Sequence, residues 1–138
     1  MSVTYLLDTN TLSYIAKGKS PAARTRLLSL HAGDVVCISS ITEAEVRYGL
    51  AKRPQAQALR AAIEGLLFKF RILPWGSREA AEYGKLRAKL ESVGAILSEL
   101  DLLIAAQAIA AEAVLVTNDK ALARIKDLHG TENWATDI

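Results

Sequence analysis

Val3-Thr4-Tyr5-Leu6-Leu7-Asp8-Thr9-Asn10 runs five residues suited to a buried strand straight into an aspartate and a polar pair. Val3 to Leu7 is continuously apolar or β-prone, the pattern of a strand covered on both faces in a parallel sheet. A charge where such a strand ends is costly unless something meets it. Asp8 therefore needs a partner or a purpose, and the rest of the chain is read outward from it.

The chain has 138 residues, enough for one domain with a proper core. Its 51% hydrophobic and 23% charged content is that of a globular protein rather than a disordered one. The formal net charge of +2 neither argues for nor opposes a polyanionic partner. No apolar run reaches membrane-spanning length, and the N-terminus lacks a basic-then-apolar signal layout. Cys37 is the single cysteine, so no internal disulfide forms, and a reducing cytoplasmic setting is expected.

Downstream, helical and strand-like segments alternate. A short helix is expected from Thr11 to Lys17, stopped near Gly18. Ser20-Pro21 opens the next helix with a capping hydroxyl and proline at the first position, running to about His31. Asp34 to Ile38 reads as a second strand closed by Ser39-Ser40. A helix follows from Ile41 to about Lys52, another from Pro54 to Phe68, and a third strand from Phe70 to Leu73. Ser77 to Val93 is a long amphipathic helix broken by Gly94. Glu99 to Glu112 is almost wholly apolar, as expected of a helix buried on most sides. Ala113 to Val116 is a buried strand, Asp119 to Ile125 a short helix, and Thr131 to Trp134 an edge strand anchored by Trp134. This alternation is the signature of an α/β fold with a mainly parallel sheet. In such sheets, sites form beyond the carboxyl ends of the strands.

Asp8 follows the first strand, Glu43 and Glu45 open the helix after the second, Asp101 opens the buried helix, and Asp119 follows Val114-Leu115-Val116. Carboxylates gathered at one sheet edge repel one another, and a cation among them relieves the repulsion. Hard oxygen donors at this density suit Mg²⁺ or Mn²⁺, and such an ion can activate water for phosphodiester hydrolysis. Each residue also has a plainer reading. Asp8 suits a loop or cap, Asp101 a capping box with Ser98, and Asp119 the N-cap of the last helix. Glu43 precedes Arg47 by four residues, the spacing of an exposed ion pair. Glu45 shares a face with Ile41 and Tyr48 and is expected to point inward. Glu45 is therefore the candidate site carboxylate and Glu43 a surface residue.

Five segments in this order resemble the PIN-domain ribonucleases, and within them the VapC-type toxins of bacterial toxin–antitoxin pairs. They are Leu6-Leu7-Asp8-Thr9-Asn10, Ile38 to Gly49, Asp101 to Ala106, Leu115-Val116-Thr117-Asn118-Asp119 and Glu132-Asn133-Trp134. Together they span essentially the whole chain. The resemblance implies a single three-layer PIN-like domain over residues 1–138, with helices flanking the sheet. It implies a metal-dependent endoribonuclease using Mg²⁺ or Mn²⁺, with Asp8, Glu45, Asp101 and Asp119 as the acidic metal-binding and catalytic residues. Thr9, Asn10 and Thr117 would be polar support. It implies tRNA or ribosomal RNA as substrate and a homodimer. A cognate antitoxin would lay its C-terminal segment in the active-site groove within a higher assembly. Glu99 departs from the pattern by adding an acid before Asp101, and reads as a helix N-terminal surface charge.

Basic residues group at Lys17 with Lys19, at Lys52 with Arg53, and along Arg78, Lys85 and Lys89. The last three are candidates for phosphate contact or for a solvated face. Arg47 is a candidate RNA contact or a partner of Glu43. Cys37 is expected in the core, and neither His31 nor His129 stands where it would build a site. Two rivals remain. A haloacid-dehalogenase-like phosphatase also opens on a strand and an aspartate, but needs a second acid where Asn10 stands. A non-catalytic RNA- or partner-binding module would keep its effect when Asp8 is neutralised.

Overall fold

The computed structural model describes residues 2–136. Five strands form one sheet: β1 (Thr4–Leu7), β2 (Val35–Ser39), β3 (Arg71–Leu73), β4 (Val114–Val116) and β5 (Thr131–Glu132). Their order is β3-β2-β1-β4-β5 and every pairing is parallel, β5 included. The expected α/β class holds, with the sheet wholly rather than mainly parallel. Leu6 pairs in register with Cys37 on one side and Leu115 on the other.

Seven helices cover the sheet: α1 (Thr9–Ala16), α2 (Pro21–Leu28), α3 (Ser40–Ala51), α4 (Gln57–Lys69), α5 (Ser77–Ser92), α6 (Glu99–Ala110) and α7 (Lys120–Ala123). Side chains of a strand alternate between faces, and the core divides accordingly. Tyr5, Leu7, Ile38 and Val116 pack with Leu12, Val46, Leu50, Ile63 and Leu67 of α1, α3 and α4. Leu6, Cys37 and Leu115 pack with Leu86, Leu102, Ala105, Ala108 and Leu122 of α5, α6 and α7. The result is three layers, helix–sheet–helix. Trp134 is buried against Tyr5 at the sheet edge, as expected of an anchor, and its Nε1 donates to Glu132. Cys37 is buried and free, its thiol pushed up by burial.

Several boundaries differ from expectation for local reasons. α1 begins at Thr9 rather than Thr11, because Asp8 is its cap and accepts from the Thr11 amide at 2.8 Å. α2 ends at Leu28 rather than near His31, whose amide instead donates to Asp34. α4 starts at Gln57, three residues after Pro54, with no side-chain cap. α7 is a single turn. Among the described residues no helix is long and apolar enough to cross a membrane.

The strand order sets the site. From β1 the chain moves outward through β2 and β3, then returns to the other side of β1 through β4 and β5. The neighbours β1 and β4 therefore flank the reversal, where a parallel sheet opens a crevice beyond its carboxyl ends.

Candidate active site

Asp8 stands at that crevice, 5% exposed. Its amide donates to the Val116 carbonyl at 3.0 Å, which extends the β1–β4 ladder by one bond beyond Leu7. One carboxylate oxygen, Oδ1, caps α1 through the Thr11 amide. The Thr11 hydroxyl in turn donates to the Val116 carbonyl at 3.1 Å. The plainer reading of Asp8 as a cap is thus true of one oxygen, and the residue also lines the cleft.

Glu45 enters from α3. The Thr9 hydroxyl donates to its Oε1 at 2.6 Å and lies 3.1 Å from the Thr42 hydroxyl. A short bond to a carboxylate is among the stronger hydrogen bonds and fixes the acceptor's rotamer. Thr42 is buried and lies three residues before Glu45, on the same helical face. That spacing was the available signal for Thr42, which sequence reasoning missed. Glu43 points elsewhere and pairs with Arg47 at 3.0 Å. Tyr48, expected inward with Glu45, is 66% exposed; the helix face carrying Glu45 leaves the sheet within one turn.

Asp101 enters from α6, whose N-cap Ser98 accepts from the Asp101 amide at 3.1 Å. Its carboxyl is held above the ordinary aspartate range chiefly by burial, with the charges of Asp119 and Asp8 adding, against a lowering bond from Ser98. Asp8, Thr9, Asn10, Glu45, Ser98, Leu100, Asp101 and Ile104 line one cleft of about 220 Å³.

Asp119 and Thr117 are not among the residues lining this cleft. Asp119 caps α7, its Oδ1 accepting from the amides of Ala121 and Leu122 at 2.8 and 3.1 Å. The buried Thr117 hydroxyl accepts from the Asp119 amide at 3.0 Å and so shapes that turn. Asp119 acts on Asp101 through its charge. Arg47 also lies outside the cleft, held by Glu64 at 2.8 Å as well as by Glu43. Glu99 sits 3.7 Å from Arg87 on the outer side of α6. Arg78 donates to the Ala110 carbonyl, and Lys89 to Asp127 at 3.0 Å. Arg78 is thus held by the fold, while Lys89 lies in an exposed surface pair.

Among the described residues no three His, Cys, Asp or Glu side chains close tightly enough to enclose an ion unaided. An all-protein cage is therefore absent there. Mg²⁺ and its like need none, because they keep several waters and take one or two carboxylates. Asp8, Glu45 and Asp101 supply hard oxygen donors to one cleft, where a cation would relieve both the burial of Asp101 and the repulsion from its acidic neighbours. The donor set fits such an ion. A larger groove of about 520 Å³ between the end of α5, residues 95–97 and α7 has one carboxylate, Asp127, already paired with Lys89. The smaller cleft is the acidic one, lined by Asp8, Glu45 and Asp101.

Fold and cleft together define a parallel three-layer domain with carboxylates at its topological switch point. The chain belongs to the PIN-domain family, whose model, described as PIN domain, matches residues 5–128, and within that family to the VapC-type proteins. It is 36% identical over 131 residues to "Ribonuclease VapC2" of Rickettsia felis, covering 94% of this chain and 97% of the relative. It is 32% identical over 132 residues to "tRNA(fMet)-specific endonuclease VapC" of Shigella flexneri, covering 95% and 98%. The solved structure of VapBC2 from Rickettsia felis, bound to a promoter DNA fragment, superposes with a TM-score of 0.88 at 34% identity. That match covers 96% of this chain and 99% of the other.

Proposed function

We propose that this chain is a metal-dependent endoribonuclease and the toxin of a type II toxin–antitoxin pair, cutting RNA phosphodiester bonds at the acidic cleft. The observation that carries the reading is the convergence of Asp8, Glu45 and Asp101 on one cleft at the switch point. The curated relatives are named as ribonucleases, one as a tRNA(fMet)-specific endonuclease, which favours tRNA among the possible substrates over ribosomal RNA.

In this reading Asp8, Glu45 and Asp101 hold Mg²⁺ or Mn²⁺, with Asp119 as a fourth acid acting from the rim. A bound divalent ion supplies an activated water and charge stabilisation at the scissile phosphate. The chain's own residues set the geometry. Asp8 is fixed by the ladder bond and the cap. Thr9, backed by Thr42, holds one oxygen of Glu45 and thereby aims the other. Asn10, exposed at the cleft, offers an amide to substrate or to metal-bound water. Thr117 fixes the turn that presents Asp119. Leu100 and Ile104 form an apolar wall that limits water access from one side.

Residues 1–138 act as one domain in this account. The partner is a cognate antitoxin, a reading supported by the VapBC structures among the relatives; in this account its C-terminal segment occupies the groove. The working form is a homodimer in the cytoplasm, joined to antitoxin in a larger assembly.

The test is cleavage of total bacterial RNA by purified wild-type protein with Mg²⁺ or Mn²⁺. We expect discrete products that vanish with chelator and with Asp8→Asn or Glu45→Gln, each falling by at least about 100-fold. Unchanged cleavage in all three conditions would remove the acidic site from the reaction. A preserved cellular effect of Asp8→Asn would favour the non-catalytic binding module.

A further inference from the structure

A second groove, of about 300 Å³, adjoins the acidic cleft and shares Thr9 and Glu45 with it. Its character is opposite. Lys17, Lys52 and Arg53 line it, and among the described residues none of the three is paired with a carboxylate. Arg47, Arg87 and Lys89 are each tied to an acid. On α3, Glu45, Tyr48 and Lys52 follow at the spacing i, i+3, i+7, so a single helix face leads from the acidic cleft to the cations. Gly49 leaves that face bare in between, and a β-carbon there would meet nothing within 4 Å. Tyr48, 66% exposed, stands at this groove with the Lys52 ammonium 5.2 Å from its ring centre.

The chemistry of this face matches one nucleotide. A cleft lined by carboxylates attracts a phosphate only through its cation, and the neighbouring phosphates of the same strand need positive charge beside it. An exposed aromatic ring next to such charge is what unpaired bases stack on. An acidic peptide would use the cations but leave the open area of the Tyr48 ring in water.

We infer that this groove is a substrate-positioning subsite, seating a nucleotide of single-stranded RNA beside the scissile phosphate. Tyr48 stacks on its base, and Lys17, Lys52 and Arg53 meet its flanking phosphates. The inference rests on the endoribonuclease reading above. The residues involved position the strand and take no part in bond breaking.

The experiment uses an RNA spanning the cleavage site mapped for the wild type, with KM and kcat measured across a salt series. Tyr48→Ala is expected to raise KM by about tenfold with kcat held within about twofold, and Tyr48→Phe to restore it. Lys52→Glu and Arg53→Glu are each expected to raise KM and flatten the salt slope by about 0.7. Gly49→Leu, which fills the groove, raises KM in the same way, and Lys126→Glu, in the groove by α5 and α7, leaves both constants unchanged. Asp8-dependent cleavage with wild-type KM and salt slope in the Tyr48, Lys52 and Arg53 variants overturns the subsite and leaves the enzyme reading standing. Absence of any Asp8-dependent cleavage overturns both. Variants that lose antitoxin capture while keeping wild-type KM assign the groove to the protein partner, which also overturns the subsite.

Discussion

Thr9 is the residue on which the geometry of Glu45 depends. Its hydroxyl donates to Glu45 at 2.6 Å and is itself steadied by Thr42. Thr9→Val keeps the shape and removes the hydroxyl. We expect Mn²⁺ affinity, measured by calorimetric titration, to fall about 10- to 100-fold with little change in Tm; unchanged affinity would mean that Glu45 needs no orienting bond. Asp101 carries a different signature. Its folded carboxyl sits above the unfolded value, so the stability linked to its proton is present at low pH and is lost as pH rises through the folded value. At neutral pH the charge burdens the metal-free fold. Asp101→Asn should therefore raise Tm in chelator, and added Mn²⁺ should raise Tm in the wild type more than in the variant. A lower Tm for the variant in chelator would contradict the strain assigned to this site. Asp34 has the opposite sign: its carboxylate is lowered chiefly by the bond from the Val3 amide, then by that from His31. Its contribution is present above the ordinary aspartate range and fades as pH falls through the lowered value.

At the scale of elements, the strands were legible because burial on both faces leaves an uninterrupted apolar run, as in Tyr5-Leu6-Leu7 and Val114-Leu115-Val116. The caps Ser20, Ser98 and Asp119 were legible because each is a short polar side chain just ahead of a helix, and each accepts the expected amide. The starts of α1 and α4 were not. Asp8 serves strand end, cap and cleft together, so a sequence reading that assigns it one role misplaces the helix. α4 has no side-chain cap to signal its start. The positions of Tyr48 and Asp119 depend on how far α3 and α7 project from the sheet, which helical periodicity does not encode. Two residues beyond the end of α6, Glu112 is at φ 53°, a left-handed residue that is not glycine. Such a position costs about 1 kcal/mol for a residue with a β-carbon. Glu112→Gly should raise the urea midpoint, by a stability gain of about 0.5–1 kcal/mol with unchanged m. A drop would show that the Glu112 side chain contributes more than its backbone costs. At the opposite extreme, Leu6 is fully buried in the central strand, and Leu6→Ala should cost about 2–5 kcal/mol in the same assay.

Across the whole molecule, the strand order β3-β2-β1-β4-β5 makes a site out of residues far apart in the chain. It brings the end of β1, the second turn of α3 and the start of α6 to one cleft. Charge is arranged around that cleft with the acids at the centre and, on one flank, cations that pair with no carboxylate among the described residues. A protein that cuts RNA must be restrained in the cell that makes it, and the antitoxin proposed here would do so by filling the same groove. The claim on which the rest depends is that Asp8 and its neighbours cut RNA. Mapping new RNA ends after brief expression of wild type and Asp8→Asn tests it most directly. The account predicts discrete new ends in the wild type that are absent with Asp8→Asn. The same ends in both, or none in either, would contradict it.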